Sequence, residues 1–310
     1  MEMEYEGFLA SVKELVAELV GDNVQVTVIE MGKNNGVVRK GLMIRHKDSN
    51  MAPAVYLEEY YQEFLQGKGL NEISLSILKS YRNTVQTTDF DVERFRNFAQ
   101  IQEHIVYRII NLDRNRQLLE ECPYIPFLDL AVVPYVSFHV GREKNGAVLI
   151  KKKHLQLWNV TEKEVLAIAA QNTPRRLIAG IRKMEDTLRE LFSVTGGQEQ
   201  EALEEFMQEI EESEHKIPMY VLSNQINFYG AACMLYEDVM EMFAQELGED
   251  VYILPSSVHE VLLVPVSKAL PPKEMLEMVQ DINTTQIPPE EILSNHIYQY
   301  SMEERGFRML

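Results

Sequence analysis

Ser256, Ser257, His259 and Glu260 stand within five residues of one another, in the stretch YILPSSVHEVLLVP at 252–265. A nucleophile, a base and an acid are the ingredients of acyl-transfer chemistry. That chemistry needs the nucleophile and base within about 3 Å and the base oriented by a third group. On an extended segment, side chains alternate faces, so Ser257 and His259 would share one face and Glu260 the other. The stretch therefore cannot supply a whole triad. A hydrolase here would use Ser256 or Ser257 as nucleophile, His259 as base and a carboxylate from elsewhere. No glycine flanks the serines, so this is not a nucleophile elbow. Position 263 is Leu263, so the second histidine of a zinc-protease helix is missing. The competing reading is structural: Pro255, Ser256 and Ser257 turn the chain between two core strands, with Ser257 and Glu260 as a capping pair.

Other reactive side chains are dispersed. His46, His104, His139, His154, His215 and His296 pair at ligand spacing with neither one another nor a cysteine, so no metal and no cofactor is expected. Cys233 lies among small and apolar residues in YGAACMLY, as a small hydrophobe would. Cys122 precedes a proline, with no basic neighbour to activate it. Lys151, Lys152 and Lys153 with Trp158 are a weak nucleic-acid signal, and lysines guarding a sheet edge are the simpler reading. The loops GKNNG and GREKNG lack phosphate-loop spacing and read as hairpin turns.

The elements that must position these groups follow from periodicity. Phe8, Val12, Leu15, Val16 and Leu19 mark an amphipathic first helix. Val24, Val26 and Val28 alternate as a half-buried strand, and Asn35-Gly36 predicts a hairpin. Helices are expected at 55–66, 70–81, 161–172, 239–247 and 273–282, the third opened by the capping box Thr161 and Glu164. Strands are expected at 131–140, 147–150, 219–222, 231–236, 251–254, 261–264 and 296–300, and a short helix from Pro288. Helices and short antiparallel strands without βαβ rhythm predict an α+β fold in two units.

Charge sharpens the division. Of the formal net charge of −18, residues 193–310 carry 22 acids against 5 bases. The expected boundaries are an N-terminal unit at 1–194, an acidic amphipathic helix at 195–216 striped by Leu203, Phe206, Met207 and Ile210, and an acidic C-terminal unit at 217–310. Such charge disfavours contact with nucleic-acid phosphates or an anionic membrane; it either favours a basic protein partner or simply keeps the protein soluble. Mimicry of a nucleic acid by the acidic surface is a further alternative. Two cysteines, an acidic N-terminus and no apolar run of about 18 residues predict a soluble cytoplasmic protein.

Several stretches carry a family resemblance: IPFLDLAVV at 125–133, LWNVTEKEVLAIAAQNTPR at 157–175, YVLSN at 220–224, YGAACMLY at 229–236, LPSSVHEVLLVP at 254–265 and INTTQIPPEEILSNHIYQY at 282–300. The sequence resembles an uncharacterised bacterial domain of unknown function, widespread in gut Firmicutes. The resemblance implies an intracellular bacterial protein and brings no activity, cofactor or catalytic residue. With no intact catalytic motif, a non-enzymatic protein-binding or regulatory module is the leading expectation. A serine-type hydrolase is the first alternative and the nucleic-acid mimic the second.

Overall fold

The computed structural model describes residues 3–46, 53–87, 91–140, 144–193, 217–255 and 257–310. Its contacts group residues 1–104 with 136–148, and residues 105–135 with 149–310. The fold is α+β, with antiparallel sheets packed by helices.

In the first unit, the helix Tyr5–Val20 buries Phe8, Leu9, Val12 and Val16. They meet Leu42, Ile44, Leu57, Ile73 and Ile77 in one apolar core. Strand β1 (Val24–Gly32) pairs antiparallel with β2 (Val38–His46), in register from Val24 opposite His46 to Gly32 opposite Val38. The connection is the predicted turn: Asn35 and Gly36 both take positive φ, at 61° and 69°. Strand β3 (Ala54–Tyr56) adds to β2 and is followed by the helix Glu58–Leu65. The helix expected from Val55 thus begins three residues later, because the β-branched Val55 extends the sheet instead.

The second unit holds the candidate residues. Strand β4 (Ile105–Asn111) lies beside β6 (Leu130–Val140), which also pairs with β5 (Ile125–Phe127) and with β7 (Lys144–Leu149); residues 136–140 of β6 and 144–148 of β7 group with the first unit. The helix Glu162–Arg176 packs on β4. Buried Thr173 locks that packing: its hydroxyl accepts the Tyr107 N–H at 2.9 Å and donates to the Ala169 carbonyl at 2.6 Å. The helix start carries the predicted capping box, with Thr161 and Glu164 bonded reciprocally. Those bonds hold the Glu164 carboxyl below its usual range.

A six-stranded sheet follows: β8 (Ala179–Lys183), β9 (Tyr220–Asn224), β10 (Val251–Leu254), β11 (Val261–Pro265), β12 (Tyr298–Ser301) and β13 (Gly306–Met309). Its spatial order is β13-β12-β10-β11-β9-β8. Strand β8 pairs along its whole length with β9. The acidic helix expected at 195–216 lies outside the described residues.

Three local expectations are corrected. Residues 231–236, expected as a strand, form a 3-10 turn over Gly230–Leu235. Gly230 sits so close to Asn224 N and His259 O that a Cβ would stand 2.6 Å from each, so the backbone packs there without side-chain room. Lys151 guards no sheet edge: it caps the helix Lys152–Trp158 and pairs with Glu121 at 2.6 Å. The helix expected from Pro288 is a turn, which delivers Ile292 to a bridge with Ser257.

Candidate functional site

The stretch Pro255–Glu260 connects β10 to β11 as a turn between two buried strands. It is stitched to residues 291–294: Val258 N–H donates to Glu291 O at 2.8 Å and Ser294 N–H to Pro255 O at 3.0 Å. Ser257 and Val258 are buried. Ser256 lies outside the described residues.

The Ser257 hydroxyl is used locally. It accepts the His259 N–H at 3.0 Å and is hydrogen-bonded to the Glu260 side chain. The two side chains thus meet on a turn, but the N–H that Ser257 accepts is that of His259, not the Glu260 N–H of the expected capping box. Burial raises the Glu260 carboxyl above its usual range, and nearby Glu291 adds to the rise. His259 and the Ser257 hydrogen bond oppose it.

The His259 imidazole faces a different partner. Its Nδ1 accepts the backbone N–H of Tyr229 at 3.3 Å, which leaves the proton of the neutral ring on Nε2. Nε2 stands 3.8 Å from Glu291 Oε1. The carbonyl of His259 accepts the Ser223 hydroxyl at 2.8 Å. The ring stacks on Tyr229, with centroids 5.5 Å apart and planes 11° from parallel. Ser257 and His259 therefore meet through the backbone, and their side chains are engaged with other groups.

Tyr229 is the hub of this region. Asn224 builds the turn that presents it, its carboxamide oxygen accepting the N–H groups of Ile226 and Phe228. Tyr229 itself has φ 54°, a left-handed conformation that bulky residues rarely hold and that neighbours must enforce. The Tyr135 ring meets it edge-on at 5.4 Å. The Arg108 guanidinium carbon lies 4.5 Å above its ring.

A second polar constellation was not visible in the sequence. Asp129, at the start of β6, accepts three side-chain hydrogen bonds. Tyr298 donates to Oδ1 at 2.5 Å, Ser294 donates to Oδ2 at 2.6 Å, and His296 Nδ1 lies 3.1 Å from Oδ2. Ser294 also accepts the His296 N–H at 3.0 Å. Burial and the adjacent carboxylate keep the Tyr298 phenol protonated far above its ordinary range. Ser294 is fully buried, and its hydroxyl tethers it to Asp129. The carboxylate orients His296 with Nδ1 inward and Nε2 outward, as a second group fixes a tautomer. The sequence showed Asp129 only inside an apolar run and His296 only as one of seven scattered histidines. No spacing rule joins positions 129 and 294.

Among the described residues, no group of three His, Cys, Asp or Glu side chains is arranged to hold a metal. Among them too, no helix is long and apolar enough to cross a membrane.

The stretches that fold into these two constellations, 125–133, 220–224, 229–236, 254–265 and 282–300, include the residues of the noted resemblance. A family model for DUF5688, a family of unknown function, matches residues 5–302. The chain belongs to that family. Neither the curated proteins nor the solved structures give a match to this DUF5688 member. Its candidate residues thus rest on geometry alone.

Proposed function

We propose that this DUF5688 protein is a non-enzymatic binding or regulatory module whose Pro255–Glu260 turn serves architecture. The observation that carries the reading is the engagement of His259: its Nδ1 is filled by the Tyr229 N–H, and Ser257 is bonded to the His259 backbone and to Glu260. A serine nucleophile needs a histidine nitrogen free to take its proton. The partner suggested by charge is a basic protein, meeting the acid-rich segment 193–310.

Two measurements test the reading. The wild-type protein and His259→Ala are each mixed with 4-nitrophenyl acetate and butyrate, and release of nitrophenol is followed. Matching rates in both are expected. Turnover by the wild type that His259→Ala abolishes overturns the proposal in favour of a hydrolase. Capture from a cell extract is then run at low and high salt. Basic proteins retained at low salt and released at high salt are expected, because exposed charges more than a Debye length of about 8 Å apart are screened at physiological ionic strength.

A further inference from the structure

Two residues packed on the Tyr229 ring each carry a buried polar atom with no hydrogen-bond partner among the described residues: Arg108 Nε and the Tyr135 hydroxyl. Tyr135 is 1% exposed, and its hydroxyl is sealed from water. Nearly all buried polar groups in folded proteins find a partner, bound water and ions included. Two orphans on one aromatic ring mark a place where a partner belongs. Both can donate, so the partner must accept.

Charge narrows its chemistry. Among the described residues, no carboxylate within salt-bridge distance of Arg108 neutralises it, although the chain holds 48 acids. Elsewhere arginines do find acids: Arg96 with Glu93, Arg116 with Asp113, Arg182 with Glu190 and Arg305 with Glu241. Arg108 instead lies over Tyr229, with no bond from its guanidinium to a protein acceptor among the described residues. Around the Cys122 thiol, Lys151, Arg108 and Lys152 favour the anion, while Glu121, itself paired with Lys151, opposes them. Guanidinium forks match carboxylate and phosphate oxygens in two-bond geometry.

We propose that Arg108, Tyr135 and Tyr229 form a binding site for an oxyanion, the phosphate or carboxylate group of a small molecule. Arg108 supplies the charge and the Nε–H donor. The Tyr135 hydroxyl donates a second bond, from a position fixed by burial. Tyr229 holds the guanidinium plane through its ring face, and its own strained backbone is pinned by His259. The site is independent of the binding reading above and would survive its failure.

The test uses the full chain and two probes, inorganic phosphate and acetate, each titrated at constant ionic strength with chloride as the control anion. Binding is read by isothermal titration and by the amide shifts of residues 228–230 and 259. Saturable binding of phosphate, acetate or both is expected, and which of them binds tells the phosphate source from the carboxylate source. Arg108→Gln should abolish it, and Tyr135→Phe should weaken it about tenfold or more, as loss of a hydrogen bond to a charged group does. Tyr135→Phe keeps the ring and its packing, so it reads the site even where Arg108→Gln does not fold. Binding of neither probe overturns the proposal. So does a response that chloride reproduces, or binding left unchanged in Tyr135→Phe.

Discussion

The Ser294 hydroxyl donates to Asp129 Oδ2 across 2.6 Å, although 165 residues of chain separate the two. With Tyr298 on the other oxygen and His296 alongside, the carboxylate is satisfied wholly by one short C-terminal segment. The Asn111 amide reaches the same segment, donating to Leu293 O at 3.1 Å. These bonds fasten β4 and the β5–β6 turn to the segment 291–298, part of which runs beside the Pro255–Glu260 turn.

Removal of one donor should therefore cost more than an ordinary hydrogen bond. Tyr298→Phe and Ser294→Ala are each expected to lower unfolding stability by about 1.5–3 kcal/mol, the range for bonds to a charged group. Urea unfolding at neutral pH measures it. The double variant should depart from additivity, because both hydroxyls serve one carboxylate. Losses below about 0.5 kcal/mol for both singles would show that Asp129 draws little from these donors.

Gly230 should not tolerate alanine. An added Cβ would overlap Ser223 Oγ and come within 2.6 Å of both Asn224 N and His259 O. Backbone atoms cannot swing aside, so Gly230→Ala should cost at least 1–3 kcal/mol, the usual range for overpacking. Gly180→Ala is the contrast: a Cβ there meets nothing within 4 Å, and a change within about 0.5 kcal/mol is expected. Thermal unfolding of the pair checks both.

The two thiols should be silent in the native protein. Cys122 and Cys233 are buried, and burial pushes them up to about 11 and about 12. The thiolate is the reactive form, so iodoacetamide at pH 8 should label neither residue until denaturant is added. Rapid native labelling of Cys233 would contradict the packing of the Gly230–Leu235 turn.

Glu260 sets a pH dependence of definite sign. Its folded carboxyl titrates above the unfolded value because it is buried. The folded state therefore favours the protonated form, and the advantage is complete below the unfolded value of about 4.3. It is lost as pH rises through the raised folded value. Glu260→Gln, neutral throughout, should then be more stable than wild type at pH 7, with the gap narrowing towards pH 4. Denaturant midpoints across that range decide it, and a gap that widens on acidification would reverse the assignment.

How far the sequence could be read depended on how local the cause was. Asn35-Gly36 and Thr161 with Glu164 act over a few residues, and the structure has both as anticipated. The segment 231–236 misled because alanine, cysteine, methionine and tyrosine suit a strand, whereas a close approach of Gly230 to β9 decides its shape. The lysines at 151–153 misled because nothing local says that β7 ends at Leu149. Asp129, Arg108 and Tyr135 were hidden for a stronger reason. Each owes its character to partners brought by the fold from positions 229 or 294–298.

The donors of Asp129 also fix an order in time. During synthesis its carboxylate leaves the ribosome long before Ser294, His296 and Tyr298 exist. Strand β10, too, lacks its β12 neighbour until residues 298–301 have been made. Nascent chains halted before residue 294 would hold an acid with no donors and a sheet with an open side, so this unit closes only as its last strands emerge.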